Sequence, residues 1–214
     1  MHMRMNGRTG SATRGTGRRR QRPTAKVLRM ELVRKGIHLL VVLVPTMAKM
    51  HRGATIAILA AGIAAYALFE TLRRAGLEVP IVSRLTAISS RERDEGKFVL
   101  GPVTLGTGAL LSVLLFPPQA ADIAIYALGF GDGLSSLAGR YLGRMELPFT
   151  GGKSLEGSLT CFAAVLIAST AVSGDALRSI PIAMVATIVE AIPARDYDNI
   201  ALPLATGLAA LTMF

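Results

Sequence analysis

Residues 54–72 read ATIAILAAGIAAYALFETL, an apolar run with no charge before Glu70. Apolar positions follow one another without period-two alternation, so the stretch does not read as a half-buried strand. Lipid offers no hydrogen-bond partner to a backbone amide, which restricts spanning segments to helices or a closed barrel. A barrel strand alternates, and this run does not. Its length approaches the ~20 residues of a membrane-crossing helix. The single acid near its end, Glu70, reads as an interfacial residue paired with Arg73 or Arg74 one turn on.

The same pattern recurs along the chain, at 37–48, 98–116, 123–138, 159–172, 180–194 and 200–214. With 51% hydrophobic residues and a mean hydropathy of +0.46 over 214 residues, the composition is that of an integral membrane protein. The expected fold is all-α with about seven transmembrane helices. The first of these is expected to begin near Leu32 and carry its charges in the interface. Residues 31–214 form one transmembrane domain, behind a basic tail over 1–30.

Charge sets the orientation. With the N-terminus in the cytoplasm, 21 of the 24 Lys and Arg fall on the cytoplasmic side, against Lys49, Arg52 and Arg178 opposite. The positive-inside rule therefore predicts an N-terminus in the cytoplasm and a C-terminus on the opposite side. Nine cations crowd the first 29 residues, with no acid before Glu31. Such a tail, poor in aromatics, reads as disordered and attracted to anionic headgroups, with no specific nucleic-acid partner implied. It is not a cleavable signal peptide, because no short apolar segment and cleavage site follow it. The lone Cys161 lies in an apolar run and excludes an internal disulfide.

This topology gathers the polar residues of the apolar runs on the cytoplasmic side. Asp132 lies inside a span, where a carboxylate costs ~2.5–3.5 kcal/mol on insertion scales and marks a polar cavity or a partner. Helical spacing places Ser136, Gly139 and Gly143 on its face. The glycines alone also suit close helix packing. Further on, Gly151-Gly152-Lys153-Ser154-Leu155-Glu156-Gly157 precedes another span. Glycines admit a ligand to the backbone, unpaired amides and the helix dipole favour an anion, and Lys153 adds a point charge. Glu156 is placed to ligate or position a divalent cation. The turn is not a Walker A loop, since Leu147 stands where that pattern needs glycine. Glu190 and Asp198, at the inner ends of the last two spans, complete the candidate set for a metal or a base. Glu31, Lys35 and His38 share one helical face. The polar segment 73–97 reads as a solvated linker with a partly amphipathic helix. Intramembrane carboxylates also mark ion paths, so a small ion-coupled transporter is an alternative.

Four motifs, ELVRKGIH (31–38), GDGLSSLAGRYLG (131–143), GKSLEGS (152–158) and EAIPARDYDNIALPL (190–204), resemble in order and spacing the CTP-dependent lipid-alcohol kinases: dolichol, phytol and CTP-dependent diacylglycerol kinases. The resemblance implies transfer of the γ-phosphate of CTP to a membrane-embedded hydroxyl. It also implies a nucleotide site over the loop from Gly139 to Gly157, with Gly139, Arg140, Gly143, Gly152, Lys153, Ser154 and Gly157 as its contacts. Under it, Mg²⁺ falls to Asp132, Glu156 and Asp198, and catalysis to Asp132, Lys153, Glu190, Asp198 and His38. Phosphatidate cytidylyltransferase, with an aspartate-containing span followed by Lys-Thr-x-Glu-Gly, is a more distant likeness. Its basic signature ending in Lys-Asp is missing here.

Overall fold

The computed structural model describes residues 32, 34–77, 97–194 and 197–214. The basic tail, Glu31, most of the 73–97 segment, Arg195 and Asp196 lie outside the described residues. Within them the chain is helical, apart from one isolated bridge between Glu146 and Ser154. Helix α1 is Arg34–Arg74, with a 3-10 turn at Leu40–Leu43 and a break at His51 (φ −152°, ψ 88°). Helices α2 (Gly101–Leu115) and α3 (Pro118–Tyr126) follow, and α3 runs through a π-helical segment, Ala127–Asp132, into α4 (Gly133–Tyr141). The chain ends with α5 (Leu155–Ser173), α6 (Ala176–Ala191) and α7 (Asp198–Met213).

Contacts between helices order the polar groups into two layers. Lys35 meets Asp132 while Lys49 meets Asp122, so the first half of α1 runs antiparallel to α3. Arg52 donates to Val113 O and Tyr66 to Val99 O, so the second half of α1 returns along α2. The break at His51 is therefore a reversal. Asn199 donates to Thr104 Oγ1, and Gly207 packs on Phe116, which sets α7 parallel to α2. Counting the halves of α1 separately, the described residues make seven helical passes, one for each apolar run. The helices Arg34–Arg74 and Leu155–Ser173 are long and apolar enough to cross a membrane, and Gly101–Leu115 is a shorter apolar helix.

The rod from α3 through the π segment is the centre of the packing. Ile123, Ala124, Ile125, Ala127 and Leu128 are all fully buried, as a helix apolar on every side must be. One side of the rod packs with Cys161, Val165, Ile182, Ala183, Ala186 and Leu202 of α5, α6 and α7. The other packs with Val41 and Val44 of α1 and Ala109 and Val113 of α2. Buried hydroxyls within the helices return their protons to the preceding turn, as Ser112 does to Gly108 O, Ser169 to Val165 O and Thr206 to Leu202 O. The outward faces remain apolar: Ile180, Met184 and Ile188 recur every fourth residue along α6, all exposed.

Glu70 pairs with Arg73 through both carboxylate oxygens, as its spacing predicts. It also accepts the backbone N–H of Val99 and so ties the end of α1 to the entry of α2.

Candidate active site

One polar layer is a continuous buried network. The π segment ends on Asp132, which is 6% exposed. Lys35 Nζ lies 2.7 Å from its Oδ2, and His38 Nε2 lies 3.1 Å from the same oxygen. His38 Nε2 is also 2.9 Å from Leu128 O, inside the π segment. Both neighbours of Nε2 are acceptors, so the ring carries its proton there and donates. On the other side of Asp132, Ser135 Oγ donates to Asp132 O and to Glu190 Oε1, each at 3.1 Å. Glu190 Oε1 takes a second bond from Lys153 Nζ at 2.9 Å, and Lys153 also donates to Glu190 O. The chain of contacts thus joins α1, the π segment, α4, α6 and the loop before α5. Glu190 Oε2 and Ser158 Oγ are buried and have no partner among the described residues.

Lys153 is delivered by a hairpin-like loop. Leu147 N donates to Lys153 O and Leu155 N to Met145 O, which brackets the Glu146–Ser154 bridge. The turn needs left-handed backbone at Gly151 (φ +69°) and Gly152 (φ +96°), a conformation glycine adopts without Cβ strain. Ser154 caps α5 by accepting the Gly157 N–H. Close packing surrounds that cap. A Cβ on Gly143 would lie 2.8 Å from Ser154 Oγ, and one on Gly157 would lie 2.9 Å from Ser135 O. The loop is therefore held tightly against α4.

Curated proteins related to this chain share one theme. A probable phytol kinase 1 of Oryza sativa subsp. japonica is 32% identical over 157 residues, covering 65% of this chain and 50% of the rice protein. Phytol kinase 1 of Arabidopsis thaliana is 29% identical over 157 residues, with 65% and 52% coverage. The chain is thus similar in sequence to these phytol kinases over about 65% of its own length. The farnesol kinase of Arabidopsis thaliana is 28% identical over 143 residues, covering 58% of this chain and 46% of its own. The chain thus spans about half the length of the curated relatives it matches. No protein-family model and no solved structure matches it.

Of the residues singled out from sequence, the structure brings together Asp132, His38, Lys153 and Glu190. Asp198 opens α7 with its Oδ1 on the Asn199 N–H, and it lies within Coulombic reach of Asp132, Lys153 and Lys35. Glu156 is half-buried on the loop side, where its carboxylate accepts the backbone N–H of Arg144 (2.9 Å) and Met145 (3.5 Å). Arg140 sits in the last turn of α4 with an exposed side chain. Gly139, Gly143 and Gly157 surround Ser154, while Gly152 forms the turn.

Three details differ from the sequence reading. Ser135 and not Ser136 joins the network, because α4 starts afresh after the π segment and Ser135 stands one turn beyond Asp132. Helix α4 ends at Tyr141, so Gly143 belongs to the loop and its role is close approach to Ser154. Asp122, passed over in the sequence, is buried at the opposite layer and paired with Lys49 at 2.8 Å. Lys35 had shared a helical face with His38, but nothing in the sequence showed that this face meets Asp132, 97 residues away.

Among the described residues no three of the His, Cys, Asp and Glu side chains gather as a metal-binding group. Asp132, Glu156 and Asp198 are thus no preformed cage. Mg²⁺ does not ask for one: it is held through one or two carboxylates, water and substrate phosphates. Two buried carboxylates in one network, with Glu190 Oε2 left unbonded, fit that requirement.

Proposed function

We propose that this protein is an integral membrane lipid kinase that transfers the γ-phosphate of CTP to the hydroxyl of a membrane lipid alcohol of polyprenol, phytol or diacylglycerol type. The supporting observation is the buried network from Lys35 through Asp132, Ser135 and Glu190 to Lys153, in a homologue of phytol and farnesol kinases. CTP as donor rests on the resemblance of the motifs. All seven helical passes cross the bilayer, with the network facing the cytoplasm and the C-terminus opposite, a reading supported by the Lys/Arg count. The charge of the basic tail suits it to anionic headgroups of the same face.

Phosphoryl transfer asks a protein chiefly for positioning and charge neutralisation. Lys153, the amides around Gly152, and Arg140 or Arg144 hold the triphosphate where the glycine turn admits it. Asp132 and Glu190, with Glu156 from the rim, would hold Mg²⁺, which would offset the negative charge of the phosphates. The lipid hydroxyl arrives laterally from the bilayer. Asp198, whose carboxylate forms no ion pair among the described residues, takes its proton.

The test is the purified protein in proteoliposomes with γ-labelled CTP or ATP against phytol, farnesol, a polyprenol and diacylglycerol. Labelled lipid phosphate with CDP release is expected. Pyrophosphate release with a CDP-lipid product would instead establish the cytidylyltransferase reaction. An Asp132→Asn or Lys153→Ala protein that inserts normally and keeps full transfer would refute the site.

A further inference from the structure

Lys35 and His38 are buried beside Asp132, yet the reaction as outlined gives neither a substrate to touch. We propose that they are positioning residues: together they clamp Oδ2 of Asp132 and leave Oδ1 as its working oxygen. The inference rests on the lipid-kinase reading.

Both clamps converge on one oxygen, Lys35 Nζ at 2.7 Å and His38 Nε2 at 3.1 Å, and among the described residues no donor reaches Oδ1. The two donors come from one turn of α1, at i and i+3, so the backbone of that helix fixes their spacing. Lys35 supplies the compensating charge that a buried carboxylate requires. His38 supplies direction. Its Nε2 hydrogen-bonds Leu128 O at 2.9 Å and lies 3.1 Å from Asp132 Oδ2, so one ring nitrogen stands against both the carboxylate and the π segment. That bond also removes Nε2 from service as a base. The approach of α1 depends on Gly129, where a Cβ would stand 3.2 Å from Val41 Cγ1 and closer still to Val42. A side chain there pushes α1 off and withdraws both donors. Lys35 also reaches Asp132 O at 3.4 Å, so side chain and backbone of the aspartate are held from the same ammonium.

The experiment measures kcat and KM for CTP and alcohol in His38→Gln, His38→Met and Lys35→Met, with the reactivity of buried Cys161 as the check on folding. A displaced carboxylate costs about 100-fold in rate, so His38→Met and Lys35→Met are expected to lose kcat on that scale at unchanged KM. His38→Gln, which keeps an amide donor near the Nε2 position, is expected to regain most of kcat. A packing role alone predicts the opposite order, because Met is the better apolar filler. Should Lys35→Met expose Cys161, the two His38 variants decide, since they leave the buried charge pair intact. Equal losses in His38→Gln and His38→Met, or a change in KM alone, would overturn the clamp while wild-type transfer stands. A wild-type protein that phosphorylates no alcohol overturns both the clamp and the kinase reading.

Discussion

Lys153 and Glu190 make the ion pair that joins the glycine loop to α6, and a double-mutant cycle reads its strength. In Lys153→Met, the Glu190 side chain, 6% exposed, keeps its charge with only Ser135 to bond it. Removing one partner of a buried pair costs 3–5 kcal/mol. The Lys153 side chain is 25% exposed, so solvent already weakens the pair and the lower end, about 3 kcal/mol, applies. Glu190→Gln keeps both hydrogen bonds to Oε1 and loses the charge, at about 1–2 kcal/mol. The double variant has no stranded charge and is expected to cost about 2 kcal/mol less than the sum of the singles. The molecule supplies the assay. It has no Trp and a single Cys, and that Cys161 is fully buried in the core, so a thiol-reactive fluorogenic dye reports unfolding. For a chain of this size about 3 kcal/mol lowers the midpoint by roughly 6–12 °C. Midpoints are compared at one scan rate and free energies are taken only from transitions that reverse on cooling, because an irreversible transition reports a rate. A coupling below about 0.5 kcal/mol, the level of unconnected sites, would refute the ion pair as the link between loop and helix.

Gly157→Ala places a methyl 2.9 Å from Ser135 O and 3.3 Å from Gly139 Cα. Overpacking of about 1–3 kcal/mol is offset by about 1 kcal/mol of helix propensity, so the midpoint moves by a few degrees. Because Ser135 moves with the contact and bonds Glu190, kcat falls further than stability does, and a variant with both unchanged would refute the packing. Glu70→Ala strands the buried Val99 N–H and releases Arg73, with an expected loss of about 2 kcal/mol by the Cys161 assay and retained kcat. A midpoint equal to wild type would show that the tie between α1 and α2 carries no stability.

The apolar runs were legible because a hydropathy pattern is one-dimensional. A run of apolar residues without period-two alternation is a helix wherever its neighbours lie, and each of the seven runs coincides with a helical pass. Asp132 and Glu190 were legible because charge in an apolar segment is conspicuous on the page, and Lys153 because it stands in a glycine turn at the entry to a helix. The Glu70–Arg73 pair needed only helical spacing.

The partners of those charges were not legible. Lys35 and Asp132 are separated by 97 residues, and Ser135 and Glu190 by 55, so their meeting depends on how the helices pack. The π segment shifted the register by which Ser136 had been placed, whereas the reversal between runs 37–48 and 54–72 was legible in the polar break that holds Lys49 and Arg52, and only its backbone form at His51 was not. Sequence alone therefore determined that this chain is a set of apolar helices carrying a few costly charges. Tertiary structure decided which charges face one another, because the direction of a buried side chain is set by the close approach of helices at residues such as Gly129 and Gly157, and that approach is a property of the packed bundle.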